Sequence, residues 1–109
     1  MAVDFGKVLN EMRVAAQAAA GVHWKDIRGF LEQELAIAQR EAAAIALEVA
    51  AGTKLPEQAT IELESIIESV RDVQLAVQVA SKAAAQDAIN AALDVLRAAV
   101  NSAAGIALL

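Results

Sequence analysis

Three glutamates, Glu34, Glu41 and Glu48, recur every seven residues in this 109-residue chain and form its one arrangement suited to chemistry. Seven residues are close to two turns of α-helix, so the three carboxylates fall along one line. Leu31, Ala38 and Ile45 flank the line on one side, and Phe30, Ile37 and Ala44 on the other. A carboxylate set between apolar rows is costly to bury unless it is paired or holds a metal ion. Glu34, Glu41 and Glu48 are therefore the candidate metal ligands. Bundles that hold metals with carboxylates add Glu-x-x-His pairs. Here the only histidine is His23, and the acids available on the apolar side of the C-terminal half reduce to Glu62 and Asp87. The row reads first as a solvated edge, free or paired with Arg13, Arg40 or Arg71, and no cofactor is expected.

His23 adjoins the only tryptophan, Trp24. A catalytic imidazole needs a nucleophile or an orienting carboxylate, and no Ser/Asp or Cys arrangement accompanies this one. The pair reads as a helix start, with Trp24 anchoring a corner against the core. The acids Glu62, Glu64, Glu68 and Asp72 read as a solvated face. Phosphate-cradling loops, the dinucleotide fingerprint, zinc spacings and calcium loops are all absent. These observations predict a non-enzymatic protein.

Composition narrows the class further. The length suits one domain, 1–109. Alanine occurs 28 times, and no residue favours helix more. Without cysteine there is no disulfide framework. The net charge of −5 opposes nucleic acid, whose phosphates demand a basic face. The N-terminal residues Met1 to Met12 carry Asp4, Lys7 and Glu11 and lack the apolar core of a signal peptide. The longest uncharged run, Ala98 to Leu109, is shorter than the roughly 20 residues a bilayer demands. The mean hydropathy of +0.45 is then a product of alanine, and a cytoplasmic location is the expectation.

The elements that would position these residues are long helices. Asp4 is suited to cap a first helix over about 4–20, with an apolar stripe at Phe5, Leu9, Met12, Ala16 and Ala19. Gly21 either ends that helix or kinks a continuous one. A second helix over 23–51 has its stripe at Trp24, Ile27, Leu31, Leu35, Ala38, Ala42, Ile45 and Val49. Gly52 past its end, a short loop and Pro56 at the next start make the strongest boundary in the chain. From Pro56 to Ala104 no Gly or Pro intervenes, which predicts one rod over 56–104. Its stripe runs Ala59, Leu63, Ile66, Val70, Val73, Val77, Ala80, Ala84, then moves sideways to Ile89, Leu93, Leu96 and Val100. The competing explanation of that drift is a hidden turn near Ser81.

Two arms of nearly equal length, about 70 Å each, then form an antiparallel helical hairpin. Phe30, Ile37, Leu47, Leu75 and Val79 lie off the stripes, and Gly29, Ala36, Ala43 and Ala50 form a row of small residues. A second copy would cover both, so the expected fold is all-α: a hairpin dimerising into a four-helix bundle, with Phe30, Ile37, Ala36, Ala43, Leu75 and Val79 at the interface. The alternative is a monomeric up-down bundle of four helices, broken near Gly21 and Ser81.

No family is identified from these residues. The Ala51–Pro56 turn lacks the tryptophan of Trp-x-Gly hairpins, the acidic balance is unlike RNA-binding hairpin dimers, and granule coat proteins share only the alanine content. The expected function is a homo-oligomeric assembly or adaptor protein, with a protein partner, no nucleic acid and no membrane span. Two other readings stand beside it. One is a coat for a lipid or polymer granule, motivated by the apolar faces of long alanine-rich rods and by the tail Gly105 to Leu109. The other is a carboxylate metal-binding bundle.

Overall fold

The computed structural model describes residues 3–109. Met1 and Ala2, the start of both the proposed domain and the segment read as lacking a signal sequence, lie outside them.

Among the described residues the chain is all-helical. Helix α1 spans Phe5–Ala20, α2 Trp24–Ala50, α3 Pro56–Arg71 and α4 Lys82–Ala104. Asp4 starts α1 as expected, its carboxylate accepting from the amides of Gly6 at 3.0 Å and Lys7 at 3.3 Å. Gly21 ends α1 at φ 58°, a conformation that side chains resist, and a 3-10 turn, Gly21–His23, leads into α2. Gly21 is thus a helix end and not a kink. The Gly52 and Pro56 boundary falls where the sequence places it, with Pro56 in the first turn of α3.

The rod expected over 56–104 is absent. After Arg71 the chain tightens into a 3-10 turn, Asp72–Leu75, goes extended at Gln78 (φ −64°, ψ 152°), and re-enters through a second turn, Val79–Ser81. Val73 and Val77 are buried inside this reversal, so tertiary burial outweighs the local tendency to continue the helix. The β-branched Val73, Val77 and Val79 weaken that tendency further. The freed backbone is satisfied locally: the Ala76 amide donates to the Val73 carbonyl at 3.0 Å, and Lys82 Nζ reaches the Gln74 carbonyl at 3.1 Å.

The molecule therefore measures 44 × 24 × 18 Å, far short of two 70 Å arms. It takes the four-helix form, broken near Gly21 and Ser81. Helices α1, α2 and α4 pack together, with the most extensive contact between α1 and α4. Ala16 and Ala20 on α1 and Ala85, Ala88, Ala92 and Ala99 on α4 are buried, and their small side chains let helices approach closely. Met12, Ile27, Leu31, Leu35, Leu63, Ile89, Leu93 and Leu96 fill the centre, each worth roughly 1.5–3 kcal/mol of apolar burial. Helix α3 rests mainly on α2 and hardly touches α4. The residues after α4 fold back to fill part of that gap. Leu108 is buried, Asn101 Oδ1 accepts from the Leu108 and Leu109 amides at 2.8 and 3.1 Å, and Thr60 Oγ1 donates to the Leu108 carbonyl at 3.1 Å.

Each half of the chain covers the apolar stripe of the other, so a second copy is not needed to complete the core. The described residues contain no helix long and apolar enough to cross a membrane.

Candidate functional site

The glutamate row lies along α2, beside its boundary with α3. Glu34 and Glu48 are half-buried and Glu41 is exposed. Successive members stand about 10 Å apart along the helix, too far to share one ion. Among the described residues no three His, Cys, Asp or Glu side chains are grouped so as to hold a metal ion.

Glu48 instead belongs to a three-residue bridge. Lys54, in the loop between α2 and α3, lies 3.3 Å from Glu48 Oε2 and donates to both Glu62 oxygens, 3.0 Å to Oε2. The expected arginine partners do not serve the row: Arg71 pairs with Glu68 at 3.4 Å on its own helix. Hydrogen bonding to Glu62 raises the Lys54 pKa above its ordinary value, with Glu48 adding to it against a partial desolvation. The bridge pins the loop across two helix ends. Its sequence signal was a lone cation between two acids, six residues after Glu48 and eight before Glu62.

Toward the other end of α2 the row borders a groove against α3. Two adjoining clefts, of about 240 and 260 Å³, share Glu34 and Ser69. Ala38, Ile66, Val70 and Val73 form their floor, and Phe30, Ile37 and Ala76 their apolar walls. The charged residues lining them are Glu34, Glu41 and Asp72, and every one is acidic. Phe30 is 48% exposed and Ile37 36%. Asp72 and Ser69 escape sequence reasoning because only the fold sets α3 beside α2 in this register.

The remaining sequence candidates scatter. Leu75 and Val79, 72% and 84% exposed, project from the reversal after α3, and Leu47 is exposed near the far end of α2. Ala36 and Ala43 are half-buried, while Gly29 and Ala50 are exposed. A Cβ placed on Gly29 would meet nothing within 4 Å, so no backbone in this fold uses the small-residue row there. Trp24 is buried at the corner, as its spacing implied. His23 Nδ1 lies 3.3 Å from Ser81 Oγ, across the two reversals. Ser81 precedes α4 without capping it, its hydroxyl facing His23 instead.

A larger cleft of about 640 Å³ opens between α3, α4 and the terminal residues, lined by Glu64, Glu68, Arg71, Arg97 and Leu109 among others. Its arginines are already engaged, Arg71 with Glu68 and Arg97 with Asp94 at 3.3 Å.

No protein family matches the chain, and no characterised protein or solved structure shows significant similarity to it.

Proposed function

We propose that this chain is a non-enzymatic adaptor or assembly protein, a helical bundle that works by presenting the outer side of α2 and the reversal after α3 to other protein. The observation that carries this reading is the apolar surface left over once the core is complete. Phe30 and Ile37 line the groove on α2, Leu47 is exposed farther along that helix, and Leu75 and Val79 project from the reversal after α3. Single exposed aliphatics are ordinary, whereas Phe30 and Ile37 together along one apolar-floored groove favour a contact surface.

The homo-oligomeric form of this reading has two copies sharing that side, an isologous pairing. Light scattering after size-exclusion chromatography tests it. That form requires a mass that is a multiple of 11.3 kDa, lowered toward one chain by Phe30→Glu or Leu75→Glu. A mass of one chain throughout the micromolar range removes the self-assembling form.

The surface-coat reading loses part of its motive, because Leu108 of the tail is buried while Ile106 is 45% exposed. The metal reading loses its own to the wide spacing of the row and the Lys54 bridge.

A further inference from the structure

The groove between α2 and α3 has an apolar floor and an edge of one charge. We infer that it docks a basic amphipathic helix from a different protein, a proposal that rests on reading this chain as an interaction protein. The groove follows α2 from Phe30 to Glu41, about 16 Å at helical rise, which is three turns. Anchors at i, i+4 and i+7 on a docked helix span about 10 Å, so all three fit within that length. One anchor enters the cleft beside Phe30 and Ala76, and the next the cleft beside Ile37 and Ile66.

Charge selects the occupant. Glu34 and Glu41 stand on the α2 side and Asp72 on the α3 side, so a helix lying between them meets carboxylates along both flanks. No lysine or arginine lines either cleft to offset them. Lysines and arginines flanking the apolar anchors complement this edge, while an acidic helix is repelled. A second copy of this chain is a poor match. Its nine cations are dispersed, and its one close helical pair, Lys25 and Arg28, is shared with Glu32, 3.9 Å from Arg28. Two grooves meeting face to face would oppose the same three acids.

The test uses the full chain and a fluorescein-labelled synthetic helix of about four turns. This peptide carries leucine at i, i+4 and i+7 and lysine or arginine on both flanks. A sequence-scrambled peptide and one with glutamate flanks serve as controls. The expected result is saturable binding by anisotropy, with amide shifts at Phe30, Glu34 and Ser69. Binding weakens about tenfold with the glutamate-flanked peptide, and by a similar factor in the Glu34→Gln/Glu41→Gln/Asp72→Asn variant. Added salt weakens it further. Phe30→Ala, which trims a wall without altering charge, weakens it while circular dichroism stays unchanged. Absence of binding, scrambled-peptide binding of equal strength, or indifference to both variants overturns the inference.

Light scattering on Phe30→Ala separates this inference from the broader reading. If the peptide fails but the variant lowers the mass of an oligomer, a second copy occupies the groove; the inference falls and the assembly reading stands. If neither responds, the inference falls together with the self-assembling form of the broader reading.

Discussion

His23 and Ser81, 58 residues apart in sequence, meet side chain to side chain, with Nδ1 and Oγ 3.3 Å apart. The contact joins the reversal between α1 and α2 to the one between α3 and α4. Ser81 is the one buried polar residue among those described, and a buried hydroxyl without a partner costs stability. A double-mutant cycle with His23→Ala and Ser81→Ala should give a coupling of about 0.5–1 kcal/mol in urea unfolding, the low end for a long bond. Strict additivity would show that the pair contributes nothing.

Lys54 supplies a pH signature. Its raised pKa means that the folded state favours the charged ammonium. The resulting stabilisation is fully present below the unfolded lysine value of 10.5 and fades as pH rises through the folded pKa. The stability difference between wild type and Lys54→Met should therefore stay level from neutral to mildly alkaline pH and shrink in the strongly alkaline range. Denaturant titrations at stepped pH measure it; a difference that grows with alkalinity contradicts the bridge.

Leu35 and Leu47 share a helix and a side-chain type but not an environment. Leu35 is fully buried, and Leu47 is 58% exposed. Leu35→Ala should cost about 2–5 kcal/mol, and Leu47→Ala no more than about 0.5 kcal/mol. Urea midpoints of the two variants check the orientation of α2, and equal losses would refute it.

Asn101 holds the terminal residues through three hydrogen bonds, its Nδ2 donating to the Leu109 carbonyl at 3.1 Å while its Oδ1 receives two amides. Asn101→Asp keeps the acceptor and loses the donor, whereas Asn101→Ala loses all three. Amide exchange at Leu108 and Leu109 should quicken strongly in Asn101→Ala and only modestly in Asn101→Asp. Unchanged protection in both would mean the clasp does not hold in solution.

Much of this arrangement was legible in the residues, and the failures have specific causes. On α2 every stripe position from Trp24 to Ile45 is buried, because large aliphatics at helical spacing outweigh the alanines between them. The residues read as uncovered, Phe30, Ile37, Leu47, Leu75 and Val79, are all exposed, and Val14, Val22, Leu55, Ile61 and Ile106 are exposed as well. On α1 the buried line is Val8, Met12, Ala16 and Ala20, with Ala19 exposed. There the alanines are too alike to fix the edge of a face. The reversal at Asp72–Ser81 lacks Gly and Pro, so local signals were silent. The sideways step of the stripe beyond Ala84 is its trace, and the turn near Ser81, the competing explanation of that step, is the one the fold takes. The groove depends on the α2–α3 register, which no single-helix pattern contains.

The broad seam between α1 and α4 joins the start of the described chain to its last helix. A polypeptide made from its amino end leaves the part of α1 that packs on α4 uncovered until α4 has emerged. Contacts so distant in sequence slow a small helical fold compared with one built from neighbouring hairpins. Until α4 emerges, α2, which also packs on α1, is the only long helix made that can shield it.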